Sequence, residues 1–385
     1  MDYEPYFPRG LAMGKAFCNR EDERKRLAKN IQRGQHTLLM SPRRYGKTSL
    51  VNYVITEMEV PFGEADFFVA VDASHIEQQI LSGIRVIFSK VSTSLEQTLR
   101  ILREFFKKLN SKWIIGTQEL SIAFIPSSES DPATNIMQAL LALEDFLAYK
   151  KQKAVFFLDE IQEVGEIAEG KGIEGAIRHV AQQSKHLSFV FSGSNRHLLG
   201  KMFFDKTRPL FKLCDRINLE RISEQSYEKH FTQLALKRWG KKLPEFTLKS
   251  LLEATERHPF YLNNLCLRLW DLQGKNLPTA NAVMDIWQDF VKEERLETMR
   301  ELSSLSPGQR KILIAMAAGM SEGFTSKAFL RKVDLSASSI IEALNVLEQK
   351  DYIERNERKY TMIDPLIKTS LNIYYGNGTL TFKDG

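Results

Sequence analysis

The residues with the clearest chemical purpose lie at positions 41–48, which read Ser-Pro-Arg-Arg-Tyr-Gly-Lys-Thr. An apolar run at residues 37–40 precedes them and a helix-forming stretch follows, so the sequence predicts a strand, a loop and a helix. Backbone N–H groups of such a loop, with the positive end of the helix dipole, bind phosphate oxygens. Lys47 can reach the β- and γ-phosphates, and the Thr48 hydroxyl can bind Mg²⁺. The pattern predicts a nucleoside triphosphate site formed by Ser41, Pro42, Arg43, Arg44, Tyr45, Gly46, Lys47, Thr48 and Ser49.

One position departs from the usual phosphate-loop pattern G-x-x-x-x-G-K-[ST]. Ser41 stands where that pattern has its first glycine. A small residue can serve at this place, and the loop still lies between a predicted strand and a predicted helix. We therefore keep the prediction of a phosphate-binding loop over an ordinary basic turn.

An acidic strand end supplies the second half of the predicted site. Residues 153–158 form a short apolar run, typical of a strand buried on both faces, and Asp159 and Glu160 follow directly. An aspartate at this place can hold Mg²⁺, and the next glutamate can polarise water toward the γ-phosphate. A third strand at residues 187–191 is followed by Ser192, Gly193, Ser194 and Asn195. These small polar residues fit either a sensor of the γ-phosphate or of the attacking water, or a plain strand-to-helix turn.

Composition excludes several classes of protein. The chain of 385 residues is 43% hydrophobic and 26% charged, as expected for a globular protein of two or three domains. Its longest apolar runs are shorter than a membrane span, and the first residues lack the pattern of a secretory signal. Three widely spaced cysteines fit a reducing cytoplasm and exclude a zinc cluster of cysteines. The net charge of +6 permits nucleic-acid binding without requiring it.

The order of predicted elements divides the chain into domains. Strands alternate with helices over residues 35–220, which predicts an α/β fold with a parallel sheet and helices on both faces. Helical periodicity alone follows, and then three helices and a hairpin predict a winged helix, a fold used for both DNA and protein contact. Within the first region we expect a strand at 66–72, a helix over about 78–109 and a short strand at 120–125 in a hairpin-like insertion. In the winged helix, Ser336 is the expected N-cap of the third helix, whose expected apolar face is Ile340, Ile341, Leu344 and Leu347. We expect a P-loop ATPase domain at 1–222, an all-α lid domain at 223–300, a winged helix at 301–370 and a tail at 371–385.

Six short motifs resemble the archaeal/prokaryotic ATPase family of P-loop proteins, which is near the STAND and AAA+ groups. They are Phe17-Cys18-Asn19-Arg20-Glu21, the loop at 42–50, Leu158-Asp159-Glu160, Ser192-Gly193-Ser194, the box at 255–262 and the segment at 360–366. The resemblance implies Mg²⁺-dependent ATP binding, slow hydrolysis and a conformational switch. It also implies that Asn19, Arg20, His258 and Pro259 lie around the adenine. Arg257 replaces a glycine of the family's box, which leaves open whether it reaches phosphate or lies on the surface.

The arginine that would complete a catalytic site is ambiguous in the sequence. Arg178, Arg196 and Arg208 all follow the acidic strand, where an arginine supplied to a neighbouring subunit is often found. Arg208 precedes a proline in a predicted loop and is our first choice. Each of the three also fits an ordinary surface charge.

Two functions compete for the output of such an ATPase. One is a cytoplasmic switch of the signalling or defence type that regulates a protein partner, which a neighbouring gene could encode. The other is a DNA-binding ATPase of the initiator or loader type. Residues 300–385 carry 12 Lys and Arg against 10 Asp and Glu, which lacks the strongly basic face of a DNA-reading module. We favour the protein partner; a homo-oligomer is compatible with the sequence, and no membrane association is expected.

Overall fold

The computed structural model describes residues 6–92, 131–271 and 276–375, and the backbone of two strands within 112–125. The strands are β1 (Thr37–Met40), β2 (Phe62–Asp66), β3 (Lys112–Ile115), β4 (Ile122–Ile125), β5 (Ala154–Asp159), β6 (Leu187–Gly193), β7 (Asp215–Asn218), β8 (Ile353–Asn356) and β9 (Lys359–Met362). The helices before β8 are α1 (Glu21–Arg33), α2 (Lys47–Met58), α3 (Ala73–Val91), α4 (Pro132–Lys150), α5 (Gln162–Glu166), α6 (Gly170–Gln183), α7 (Arg196–Phe204), α8 (Glu224–Trp239), α9 (Glu245–Ala254), α10 (Pro259–Asp271), α11 (Ala280–Glu293), α12 (Arg295–Ser303), α13 (Pro307–Ala317), α14 (Lys327–Val333) and α15 (Ala337–Gln349). Helix α16 (Pro365–Tyr375) follows β9, and a short 3₁₀ turn, Gly14–Ala16, precedes α1.

The described chain divides into two compact units. The sheet unit comprises Arg20–Arg43 and Lys47–Leu219, and the C-terminal unit comprises Met1–Asn19, Arg44–Gly46 and Glu220–Gly385. The division after residue 219 lies close to the expected boundary at 222. Residues 6–19 differ from the expectation, because they group with the helical domain, where Phe7 is part of the core.

The sheet unit is built on five parallel strands in the order β2-β5-β6-β1-β7. Neighbouring residues of a strand face opposite sides of the sheet. Phe156 and Phe157 of β5 are both fully buried, so both faces of the central strands are covered. The predicted α/β fold with a parallel sheet is confirmed. Strand β6 lies between β1 and β5, so the ends of these three strands meet at one edge of the sheet.

The second strand is displaced from its predicted position. We expected it at residues 66–72, but β2 ends at Asp66 and residues 67–72 form a loop. In that loop Phe68, Val69 and Val71 are exposed, so the apolar composition that suggested a strand does not reflect burial. The following helix, α3, starts at Ala73 behind the N-cap Asp72. The predicted continuation of this helix over residues 93–109 lies outside the described residues.

An expected hairpin insertion is present between α3 and α4. Strands β3 and β4 pair in antiparallel fashion, with Trp113 opposite Phe124. The sequence predicted only the second of these strands, at residues 120–125. Their pairing is separate from the main sheet.

Two glycines allow α3 to lie directly on β2. A Cβ atom at Gly63 would lie 2.1 Å from the carbonyl oxygen of Gly83. A Cβ atom at Gly83 would lie 2.3 Å from the Phe156 ring and 2.7 Å from the carbonyl oxygen of Glu64. Such distances are too short for carbon atoms, so this approach of helix to strand requires glycine at both positions.

The C-terminal unit has two separate apolar cores. Helices α8–α11 enclose the first, where Phe231 and Trp287 are almost fully buried. The second lies under α13–α15, the β8–β9 hairpin and α16, in the arrangement of a winged helix. Ser336 caps α15 by accepting a hydrogen bond from the Ser339 N–H, as the sequence predicts. Ile341 is a correction: we expected it on the apolar face of α15, but it is 50% exposed.

No helix within the described ranges has the length and apolar character needed to cross a membrane.

The close approach of α3 to β2 predicts the outcome of a glycine-to-alanine comparison. Gly83→Ala should lower the free energy of unfolding by about 1–3 kcal/mol, because its Cβ overlaps backbone and ring atoms. Gly175→Ala in α6 is the matched control, since a Cβ there meets nothing within 4 Å. This control should be neutral or stabilise by up to about 1 kcal/mol. Urea unfolding of both variants measures the difference, and equal effects would contradict the proposed packing.

Candidate nucleotide site

The predicted phosphate loop connects β1 to α2, with Lys47 as the first helical residue. Gly46 has a φ of +87° and Arg44 a φ of +63°, both in the left-handed region. A Cβ at Gly46 would meet nothing within 4 Å, so the backbone conformation and not space favours glycine there. Because Arg44 is not glycine, its conformation costs energy that surrounding contacts must offset. The loop therefore bends in the manner of a backbone that presents its N–H groups to an anion.

Lys47 lies at the base of the loop. Its residue is only 6% exposed, and its ammonium group donates to the carbonyl oxygens of Ser41 and Pro42, 3.4 Å away in each case. Both are long, weak hydrogen bonds. An ammonium group held in this way remains close enough to the loop to bind phosphate, as its position in the motif predicts.

The hydroxyl of Thr48 and the carboxylate of Asp159 are in direct contact. The Thr48 Oγ1 donates to Asp159 Oδ2 at 3.0 Å, while Ser192 Oγ donates to Asp159 Oδ1. Burial raises the pKa of Asp159, and the two hydroxyl hydrogen bonds with the charge of Lys47 oppose that rise. Hydroxyl and carboxylate oxygens are the ligands that Mg²⁺ prefers, and a buried carboxylate commonly serves a metal. This pair of side chains therefore fits the predicted Mg²⁺ site.

Glu160 is held by hydrogen bonds to one of its carboxylate oxygens. Ser194 donates to Oε2 from its N–H at 3.0 Å and from its hydroxyl at 2.8 Å, and Gln162 donates from Nε2 at 2.6 Å. Burial acts to raise the pKa of Glu160, but the Gln162 hydrogen bond, the charge of Lys47 and the Ser194 hydrogen bonds together lower it. The carboxylate is therefore ionised at neutral pH, which is the state that orients water.

Sequence reasoning missed one member of this network, Gln162, and it placed Ser192 at a sensor strand end without predicting its hydrogen bond to Asp159. The Gln162 side chain lies so close to β6 that a Cβ at Gly193 would be 2.0 Å from its Oε1 atom. Gln162 is 2% exposed, and its Oε1 accepts no hydrogen bond within the part of the chain that the structure describes. A glutamine three residues after an aspartate is too common a pattern to predict this role. Gly193, at the end of β6, is the sequence feature that could have indicated the close approach of the Gln162 side chain to this strand.

Ser194 and Asn195 have clear positions in the sheet unit. Both hydrogen-bond donors of Ser194 point to Glu160, and Asn195 Oδ1 accepts from the Leu198 N–H as the N-cap of α7. Their role toward a γ-phosphate stays a prediction. The structure adds that Ser194 positions the Glu160 carboxylate.

The arginine that we placed first as a catalytic group, Arg208, is engaged elsewhere. Its guanidinium forms an ion pair with Glu174, whose side chain is fully buried. Arg178 donates to the carbonyl oxygens of Pro209 and Phe211 on the adjoining loop. Leaving a buried carboxylate without its partner is costly, which gives Arg208 a structural reason for its place. Its role toward a neighbouring subunit is therefore a hypothesis with a competing structural explanation.

The remaining predicted nucleotide-binding residues fall in different units. In the C-terminal unit Asn19 Nδ2 donates to Ser226 Oγ at 2.6 Å, and Pro259 begins α10. In the sheet unit Arg20 is buried and pairs with Glu23 at 3.1 Å. Arg257 lines a cavity of about 940 Å³ between α8 and α9. Arg257 is half-buried at this cavity, and its contact with phosphate stays a prediction.

His258 contacts the phosphate loop within the C-terminal unit. Its ring meets that of Tyr45 edge-on, with centroids 4.9 Å apart. The residue is 3% exposed, and its Nδ1 has no hydrogen-bond partner among the described residues. Burial and the nearby charges of Arg221 and Arg44 lower the pKa of His258 to about 3. His258 is therefore neutral at physiological pH, and its place beside the adenine stays a prediction.

Comparison with known proteins agrees with this architecture. The AAA domain family matches residues 100–209, which include the acidic strand but not the phosphate loop, and a family described as a probable winged helix domain matches residues 299–372. A solved Walker-type ATPase of Pyrococcus abyssi is 17% identical, with a TM-score of 0.70, covering 96% of this chain and 99% of that chain. The ORC2 protein of Aeropyrum pernix, solved as ADPNP–ADP complexes, is 13% identical with a TM-score of 0.57, covering 97% and 96%. No curated protein matches the chain.

These findings show a P-loop ATPase fold. Residues 100–209 match the AAA domain family and a C-terminal winged helix domain follows, so the predicted resemblance is confirmed at the level of fold and domain order.

The buried histidines predict a loss of stability in acid. Burial lowers the pKa of His230 to about 4, and that of His258 is about 3, whereas the pKa of a histidine in the unfolded chain is near 6.5. Below pH 6.5 the unfolded chain binds protons that the folded chain does not, so the free energy of unfolding should fall as pH drops toward 4. His230→Leu should flatten this slope by up to about 1.4 kcal/mol per pH unit. Urea unfolding at several pH values tests this, and an unchanged slope would contradict neutral burial.

Proposed function

We propose that this protein is a Mg²⁺-dependent ATPase that hydrolyses ATP slowly and acts as a molecular switch on a protein partner in the cytoplasm. One observation carries the proposal. The Thr48–Asp159 pair and the ionised Glu160 occur together next to Lys47, in a network that ties the ends of two neighbouring strands. An isolated motif would not require these side chains to be arranged in this way.

Each of these side chains has a distinct role in the proposed reaction. Lys47 binds the β- and γ-phosphates, and the loop N–H groups hold the same oxygens. Thr48 and Asp159 would hold Mg²⁺, which supplies positive charge to the phosphates when bound. Glu160 orients the attacking water, and the hydrogen bonds from Ser194 and Gln162 fix the direction of its carboxylate. Since Ser194 and Gln162 use their donors on Glu160, they act as positioning residues.

Two substitutions separate binding from hydrolysis. Lys47→Ala should abolish ATP binding, because it removes the cation at the base of the loop. Glu160→Gln should bind ATP normally but slow single-turnover hydrolysis by about 100-fold, since an amide cannot accept the water's proton. Isothermal calorimetry and single-turnover kinetics measure the two effects.

Two exposed residues provide matched controls for this pair. Lys29→Ala and Glu166→Gln change the same side-chain types on exposed helix positions and should leave binding and hydrolysis unaltered. Normal ATP affinity in Lys47→Ala would contradict the assignment of residues 41–48 as the phosphate-binding loop. Normal hydrolysis in Glu160→Gln would assign water activation to another group.

The exposed face of α15 supports a protein partner. Ile341 is half exposed there, and its exposed neighbours include Glu342, Asn345 and Glu348. A helix that reads DNA in the major groove presents donors such as Arg, Lys, Asn and Gln to base edges. An apolar residue on the same exposed helix as two acids suits a protein surface better than a phosphate backbone.

The wing and the fold keep a DNA-binding ATPase of the initiator type as the alternative. Arg358 and Lys359 lie at the turn of the β8–β9 hairpin, where they could contact phosphates. Glu354 and Glu357 alternate with them, and Arg355 donates to the Glu357 carbonyl oxygen at 3.0 Å. The winged helix itself is compatible with either partner.

A pair of surface substitutions distinguishes these partners. We expect a labelled DNA duplex to bind the ATP-loaded protein only weakly and to be released at physiological salt, as for non-specific binding. Arg358→Ser should then weaken binding of the duplex no more than Ile341→Ser does. Salt-resistant binding that Arg358→Ser weakens and Ile341→Ser does not would overturn the protein-facing proposal in favour of the DNA-binding alternative.

A further inference from the structure

The middle of the phosphate loop belongs to the C-terminal unit. Arg44, Tyr45 and Gly46 group with that unit, whereas the residues on both sides of them group with the sheet unit. Tyr45 is 5% exposed, and the Arg44 guanidinium lies 4.3 Å from the centre of the Phe260 ring. These contacts offset the left-handed backbone of Arg44. The conformation of residues 44–46 is therefore supported by contacts within the C-terminal unit.

A first route leads from Tyr45 to the segment after the wing through one side chain, Arg221. Arg221 Nε donates to the Tyr45 hydroxyl oxygen at 3.3 Å, and Nη2 donates to the Ile363 carbonyl oxygen at 2.8 Å. Nη1 donates to the backbone carbonyl and to the carboxylate of Glu256. Glu256 in turn accepts from Lys368 of α16. One guanidinium thus bridges the phosphate loop, the helical domain and the end of the wing.

A second route consists of aromatic rings in edge-on and tilted contact. The ring of Tyr45 contacts His258, and His258 contacts Tyr261 with centroids 4.8 Å apart. The Tyr261 hydroxyl donates to Asp364 Oδ2 at 2.6 Å. Both routes therefore begin at Tyr45 and end at adjacent residues, Ile363 and Asp364.

Asp364 also determines where α16 begins. Its Oδ1 accepts from the N–H groups of Leu366 and Ile367, at 2.7 and 3.1 Å. The first turn of α16 is thus attached to the same carboxylate that Tyr261 holds. A shift of Tyr261 must change the support of the helix that closes the winged-helix core, where Ile367 is buried.

We propose that Tyr45 and Arg221 are positioning residues that couple occupancy of the phosphate loop to the winged helix. The inference rests on the proposed ATP binding. It adds the residues through which a nucleotide in the loop would act on the winged helix. A ligand that changes the loop acts on residues 363–367 through Tyr45. Because coupling between two sites is reciprocal, a protein bound to the winged helix changes ATP affinity by the same factor.

Hydrogen exchange of the full chain tests this coupling. Protection of residues 350–375 is compared between ADP and a slowly hydrolysed ATP analogue in the wild-type protein, in Tyr45→Phe and in Arg221→Lys. Tyr45→Phe keeps the ring against His258 and removes only the oxygen that accepts from Arg221. Arg221→Lys keeps the charge but cannot bridge three groups at once. The wild type should show a nucleotide-dependent difference, and both variants should lose at least about half of it, because each loses hydrogen bonds of the first route. Each protein is measured at an analogue concentration that saturates it.

A tyrosine elsewhere in the winged helix provides the control. Tyr360→Phe removes the same atom from a ring that contacts Phe324, away from both routes, and should keep the full nucleotide-dependent difference. An undiminished difference in Tyr45→Phe and Arg221→Lys would overturn the inference and leave the ATPase proposal intact. Absence of nucleotide binding by the wild type would overturn the proposed function and this inference with it. Loss of the difference in Tyr360→Phe as well would also overturn it, since the effect would then be general destabilisation.

Discussion

The backbone of the phosphate loop is the constraint on which the rest of this structure depends. A short loop must turn between β1 and α2 while placing its N–H groups on one side, and this requires left-handed conformations at Arg44 and Gly46. Glycine adopts such a conformation freely, but arginine does so only where other contacts repay the cost. Here the contacts with Phe260, His258 and Arg221 perform that task. Because position 44 is an arginine and not a glycine, the backbone there depends on contacts with residues that are far away in the sequence.

The acidic half of the site solves a related electrostatic problem. Two carboxylates, Asp159 and Glu160, follow each other at the end of a buried strand, where each raises the cost of ionising the other. The chain separates them by giving Glu160 a left-handed backbone, with a φ of +51°, and by giving each its own donors. Hydroxyl groups serve Asp159, whereas Ser194 and Gln162 serve Glu160. The opposite directions of their pKa shifts follow from these different surroundings.

Local patterns in the sequence predicted what depends on neighbours along the chain. Apolar runs and turn residues located β1, β5, β6 and the winged helix, and the motif at residues 41–48 located the loop. What depends on packing could not be read in this way. The apolar residues 67–71 suggested a strand but form a loop in which Phe68 and Val69 are exposed, and Ile341 follows helical periodicity yet is half exposed. The hydrogen bonds of Arg208 and Arg221 join residues that are more than 30 positions apart, so the spacing of residues could not predict them. The bond from Gln162 to Glu160 is local, but it depends on where the Gln162 side chain points.

The double use of the Asp364 carboxylate has a consequence for genetics. One oxygen starts α16 and the other holds Tyr261, so a substitution at this residue cannot separate folding of the domain from communication with it. A random mutant library screened for abundant but unresponsive protein should therefore be depleted of changes at position 364. The variants recovered from such a screen should instead carry substitutions at residues that lie on the two routes but do not cap a helix. Asp364 would count as a stability residue in such a survey, although it lies at the end of the second route and next to Ile363, where the first route ends.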